Sequence, residues 1–118
     1  MGWTIEYYRD ERGHEPVADF IDSLPVGTQA KVFRLIGLLG RYGVLLKEPY
    51  TRQIKEKIRE LRIKDSRGAI RVLYFGYTGK RFILLHGFVK KMDKTPTQDI
   101  TIAEKRMKDF IERQEVKQ

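Results

Sequence analysis

A chain of 118 residues with 41% apolar and 34% charged side chains and a net charge of +8 has the make-up of one globular domain, expected to span 1–118, not of a disordered tract. It has no cysteine, which excludes a disulfide scaffold, a thiolate metal site and a Cys nucleophile, and its two histidines, His14 and His86, leave a zinc site short of ligands. No apolar run approaches the roughly 18 residues that cross a bilayer, and the charged 1–12 segment is unlike a signal peptide, so the expected setting is cytoplasmic, with no membrane partner.

Trp3 to Arg9 alternates with period two, which predicts a first strand. Pro16 suits a first helical turn, and Val17, Phe20, Ile21 and Leu24 follow at helical spacing until Pro25 interrupts them. Val32, Leu35, Ile36 and Leu39 predict a second helix, which Gly43 stops. Ile58 to Lys64 reads as a strand, 65–68 as a turn, Ala69 to Tyr77 as the hairpin partner and Phe82 to Lys91 as the last strand of a meander. Thr95-Pro96-Thr97-Gln98 has the form of a capping box. A final amphipathic helix follows, with Ile100, Ala103, Met107, Phe110 and Ile111 on one stripe and a Glu104–Lys108 pair on its surface. The predicted order is β-α-α-β-β-β-α, an α+β class in which a helical hairpin packs on an antiparallel sheet, with a C-terminal helix.

The positive charge is not spread along this order. Residues 1–46 sum to −1 and residues 95–118 to zero, whereas 47–94 carry 14 basic and 5 acidic side chains. The readings open are a well-solvated surface and a footprint for a polyanion. Walker, G-x-G-x-x-G, G-x-S-x-G and H-E-x-x-H motifs are all absent. The cations that stand out lie on strands: Arg62, Arg71, Lys90 and Lys91, then Lys94, with Lys64 and Arg67 as further candidates for binding RNA.

Strict alternation places His86 and Lys90 on one strand face with Phe82, Leu84 and Phe88, opposite Ile83, Leu85, Val89 and Lys91, and puts Arg71 within reach across the hairpin. Converging cations call for an anion, which a phosphate would supply. Arg71 lies among Ile70, Val72 and Leu73, so a structural ion pair with Glu60 or Asp65 is its alternative reading, and a satisfied core position is that of His86. Trp3, Tyr7, Tyr8 and Tyr74 fit core packing or base stacking. If the anion is RNA, a 2′-hydroxyl can attack its own phosphodiester without metal or cofactor, given a proton acceptor, cations for the developing charge and a proton donor. His86 suits proton transfer, and a lysine would suit it only if crowding by neighbouring cations lowered its pKa.

Pro16-Val17-Ala18-Asp19-Phe20-Ile21, Glu60-Leu61-Arg62, Ile70-Arg71-Val72-Leu73-Tyr74-Phe75, Leu84-Leu85-His86-Gly87-Phe88-Val89-Lys90-Lys91, Lys94-Thr95-Pro96 and Ala103 follow one another in an order that resembles the phage-derived HigB-type branch of the RelE/ParE toxin superfamily. The resemblance covers nearly the whole chain. It implies a RelE-like fold and an mRNA-cleaving toxin, working on the ribosome and restrained by a helix-turn-helix antitoxin in a toxin–antitoxin hetero-oligomer. By position, Arg71 matches the arginine assigned to phosphate stabilisation, Lys90 and Lys91 match the basic strand end bearing catalytic cations, and Arg62 and Lys94 match basic positions of the branch. RelE-type enzymes commonly carry a tyrosine near the start of the final helix, and residues 97–102 contain none. That shifts attention to His86 as the proton carrier. The alternative within the superfamily is a ParE-like toxin that inhibits DNA gyrase without nuclease chemistry, and a nucleic-acid binder without activity is a third reading.

Overall fold

The computed structural model describes residues 2–66, 68–91 and 93–116. Within them the chain runs β1 (Thr4–Tyr7), α1 (Pro16–Asp22), α2 (Val26–Tyr42), a short 3-10 turn (Gly43–Leu45), β2 (Thr51–Lys55), β3 (Ile58–Asp65), β4 (Gly68–Tyr77), β5 (Arg81–Lys90) and α3 (Thr97–Val116). The class is α+β, and the predicted elements occur in the predicted order. One strand is additional: β2, whose Thr51-Arg52-Gln53-Ile54-Lys55 run has a single large apolar residue and so carries no strand pattern.

The sheet has the order β1-β5-β4-β3-β2. It is antiparallel from β2 to β5, and mixed because β1 lies parallel to β5, with Thr4 opposite Arg81 and Tyr7 opposite Leu84. A parallel neighbour needs a crossover, which the α1–α2 hairpin supplies. The two helices lay Val17, Ile21, Val32, Leu35, Ile36 and Leu39 on a sheet face made by Leu61, Ile63, Ile70, Val72, Tyr74, Phe82 and Leu84. The other face, with Ile58, Leu73, Phe75, Ile83 and Leu85, is covered by Ala103 and Phe110 of α3. No helix among the described residues is long and apolar enough to cross a membrane.

Trp3, Tyr7, Tyr8 and Tyr74, the aromatic residues open to base stacking, pack in or against the cores. Trp3 stacks on Phe82 at 4.2 Å between ring centroids, Tyr74 meets Phe82 edge-on, and the buried Tyr8 hydroxyl donates to Asp109 at 2.6 Å, tying β1 to α3. The expected Glu104–Lys108 pair is replaced by a bond across the sheet edge, Lys55 to Glu104 at 2.9 Å. The capping box is also not formed: α3 starts at Thr97, and the Thr95 hydroxyl donates to Glu60 instead.

Strict alternation fails once along β5. Tyr74 pairs with Leu84 but Leu73 pairs with His86, so one extra residue forms a bulge that reverses the facing of everything beyond it. Leu84 therefore faces the helical hairpin, while His86, Phe88 and Lys90 face the α3 side, where alternation had placed them together with Leu84. Gly87 then points at the hairpin, where a Cβ would fall 2.3 Å from the Phe20 ring. Gly87→Ala is expected to destabilise the fold by about 1–3 kcal/mol through displacement of Phe20, read as a lowered urea midpoint at unchanged slope.

Candidate functional site

The register of strands β2 to β5 lines side chains up in rows on the α3 side of the sheet. Arg52, Glu60, Leu73 and His86 form one row; Arg62, Arg71 and Phe88 form the next; Lys64, Ala69 and Lys90 form a third. Toward the N-terminus of α3 the rows open into a cleft of about 250 Å³, lined by Arg52, Glu60, Lys90, Lys94 and Thr95 together with the acidic Asp93 and the apolar Ile54 and Ile100.

Glu60 is the centre of this arrangement. It has 0% relative exposure, and a carboxylate so buried requires counter-charge and hydrogen bonds. Arg71 Nε lies 3.4 Å and Arg62 Nε 3.8 Å from Oε1, and the Thr95 hydroxyl donates to Oε2 at 2.6 Å. The two guanidinium contacts are ionic only: Glu60 Oε1, Arg62 Nε and Arg71 Nε make no hydrogen bond among the described residues. Arg71 also donates from Nη1 to the Ile70 carbonyl at 3.1 Å. Of the two partners open to Arg71, the structure pairs it with Glu60.

The cations press on one another. Burial works against the charge of Arg71, Glu60 favours it, and Arg62 and Arg52 oppose it. Lys90 is affected in the same way: burial pushes its ammonium below the ordinary lysine range, Glu60 pulls it back, and Arg71, Arg62 and Arg52 lower it further. An anion arriving in the cleft would relieve this repulsion.

His86 shares the face with Arg71 and Lys90, but both its ring nitrogens are engaged. Nε2 lies 2.6 Å from Asp99 Oδ1, and Arg106 Nη1 lies 3.3 Å from Nδ1 while donating to the Leu85 carbonyl at 2.8 Å. With Nδ1 accepting from Arg106, Nε2 is the protonated nitrogen that donates to Asp99. The imidazole stacks on Phe88 with ring centroids 5.6 Å apart and joins β5 to the first turns of α3.

The expected residues thus divide. Arg62, Arg71 and Lys90 come together around Glu60, and Lys94 is exposed at the cleft wall. Lys91 is exposed just beyond β5 and does not line the cleft. Lys64 is exposed one row beyond Arg62, and Arg67 lies outside the described residues. Arg52, Glu60 as an organiser, Thr95, Asp99 and Arg106 were not anticipated. Glu60 was the easiest to find, as a carboxylate in a buried strand two residues before Arg62. Glu60→Ala, which leaves Arg71 buried without its counter-charge, is expected to cost about 3–5 kcal/mol of stability in denaturant titration. Thr95→Val should cost about 1 kcal/mol.

No curated protein matches the chain. A family model described as "Phage derived protein Gp49-like (DUF891)" matches residues 19–108, from α1 into α3 and including the whole cleft. The chain therefore belongs to the phage-derived Gp49-like family, whose members are RelE/ParE-like toxins of toxin–antitoxin systems.

Proposed function

We propose that this Gp49-like protein is a HigB-type toxin that cleaves mRNA as a metal-independent endoribonuclease, working in the cytoplasm on ribosome-bound message and held in check by a helix-turn-helix antitoxin. The observation that carries this reading is the gathering of Arg52, Arg62, Arg71 and Lys90 around one buried carboxylate, with Arg52 and Lys90 lining the cleft and Arg71 buried behind it. Arg52 has its own partner in Glu48 at 3.3 Å and Asp93 also lines the cleft, but the Arg62 and Arg71 guanidinium groups, held to Glu60 by charge alone, keep donors for a phosphate.

In the proposed reaction the 2′-hydroxyl of the substrate loses its proton and its oxygen attacks the adjacent phosphorus. The bond to the 5′-oxygen breaks, leaving a 2′,3′-cyclic phosphate, and the departing 5′-oxygen gains a proton to become a hydroxyl. Arg71, with Arg62 beside it, stabilises the charge that grows on the non-bridging oxygens. Lys90, destabilised as an ammonium by burial and its cationic neighbours, is the proton acceptor. His86, engaged through both nitrogens, positions the site by fixing α3 against β5. Lys64, Arg67, Lys91 and Lys94 contribute to holding the RNA backbone.

Arg71→Lys retains the charge but loses the planar fork, and is expected to lower cleavage of mRNA by roughly 100-fold with the melting temperature nearly unchanged. Induction of the wild-type protein that leaves mRNA intact while DNA damage signalling rises would replace the nuclease with a ParE-like gyrase inhibitor.

The proton acceptor gives a pH test. Cleavage should rise with pH as Lys90 loses its proton. Because Arg52 helps to lower the Lys90 pKa, Arg52→Ala raises that pKa and moves the rate profile to higher pH. A profile that does not move removes Lys90 from this role.

A further inference from the structure

Three residues that line the cleft take no part in holding an anion. Asp93 is exposed on its wall and enters no hydrogen bond or ion pair among the described residues. Its carboxylate repels the phosphate that Arg52, Lys90 and Lys94 attract, so a cleft for phosphate alone gains nothing from it. Ile54 and Ile100 are the other two. Ile54 comes from β2, where it packs against the core on the α3 side, and Ile100 from the first turn of α3. Apolar side chains therefore reach the cleft from two separate elements, and both are half-buried.

A phosphate has no use for apolar walls, whereas a nucleobase has two apolar ring faces and a polar edge. At about 250 Å³ the cleft is smaller than a site for a drug-sized molecule, roughly 300–1,000 Å³, and suits a single ring system. The polar group decides which one. A carboxylate only accepts hydrogen bonds, through two oxygens that can take parallel N–H donors. Guanine alone carries such donors side by side, N1–H and N2–H, on its Watson–Crick edge. Adenine and cytosine place a ring-nitrogen acceptor next to their amino group, and uracil sets its one N–H between carbonyls, so only guanine meets both carboxylate oxygens. Gln53, whose amide could read other edges, is occupied: its oxygen accepts from Arg59 at 3.0 Å and its nitrogen donates to the Glu56 carbonyl.

We propose that Asp93, Ile54 and Ile100 form a base pocket beside the cationic rows, which takes a guanine of the substrate RNA. The ring lies against the isoleucines, and its N1–H and N2–H donate to Asp93. This assignment rests on the RNA-cleaving reading of the cleft and names the base that the cleft selects.

The test maps the cut ends of mRNA in a translating extract supplied with the full-length protein. Cuts are expected at a fixed step from a guanosine, in excess over the other bases by roughly tenfold or more. Inosine in place of those guanosines still pairs with cytosine in the decoding tRNA but lacks the N2 amino group, and should slow cleavage there roughly tenfold. Asp93→Asn keeps the side-chain shape but leaves a single oxygen to accept, and should level the preference by a similar loss at guanosines, with an unchanged circular dichroism spectrum. Cuts spread evenly over the four bases, or a guanosine preference indifferent to inosine and to Asp93→Asn, overturn the base pocket while the nuclease reading stands. Loss of cutting at every base in a folded Asp93→Asn protein also overturns it, by placing Asp93 in the chemistry instead. A wild-type protein that cuts no message removes the RNA-cleaving reading and the pocket with it.

Discussion

The arrangement on the α3 side of the sheet depends on one buried carboxylate. Glu60 has lost its water, and a charge in that position is tolerated only when opposite charge and hydrogen bonds replace the lost hydration. Arg62 and Arg71 face each other directly across β3 and β4, where like charges repel, and Glu60 one row away offsets that repulsion. Thr95 completes the set from the segment that leads into α3. The same group therefore holds the charged rows of the sheet together, ties down the segment that leads into the last helix and gathers the cations beside the cleft.

The two faces of the sheet have different tasks. On the hairpin side an unbroken apolar layer runs from Val17 to Leu84, with little that could take part in chemistry. On the α3 side the apolar layer of Leu73, Phe75, Ile83 and Leu85 gives way within one strand to polar groups. The β5 bulge makes this change possible, because it lets Leu84 remain in the hairpin core while His86 and Lys90 join Arg71. Asp99 and Arg106 then grip both edges of the His86 ring, so the boundary between core and cleft is a fixed one.

The helices, the meander and the final helix were legible in the sequence because each buries a periodic apolar stripe, as Val32, Leu35, Ile36 and Leu39 do in α2. Arg71 and Lys90 were legible as candidates because charge in a strand of large apolar residues is conspicuous. The strand β2 was not, since an edge strand buries little and its residues need no pattern, and Arg52 went unnoticed with it. The bulge was also hidden, because one extra residue leaves composition unchanged while reversing every facing after it. Asp99 and Arg106 are ordinary charges on an amphipathic helix, and only the docked position of α3 gives them a partner in His86. Similarly, the Thr95 hydroxyl had a local use as a cap, and tertiary packing drew it to a residue far away in sequence.

The parallel pairing of β1 with β5 constrains how the protein comes into being. The first strand to leave the ribosome has no partner until residues 81–84 have followed it, and Glu60 has no Thr95 until the lead-in to α3 is also free. Contacts of such long sequence separation form late, after the local hairpins of β3, β4 and β5. An amino-terminal fragment that ends before β5 leaves its first strand unpaired and its buried carboxylate without Thr95. The cationic cleft is consequently a property of the finished chain, and a ribosome still making this protein holds only the unassembled parts of it.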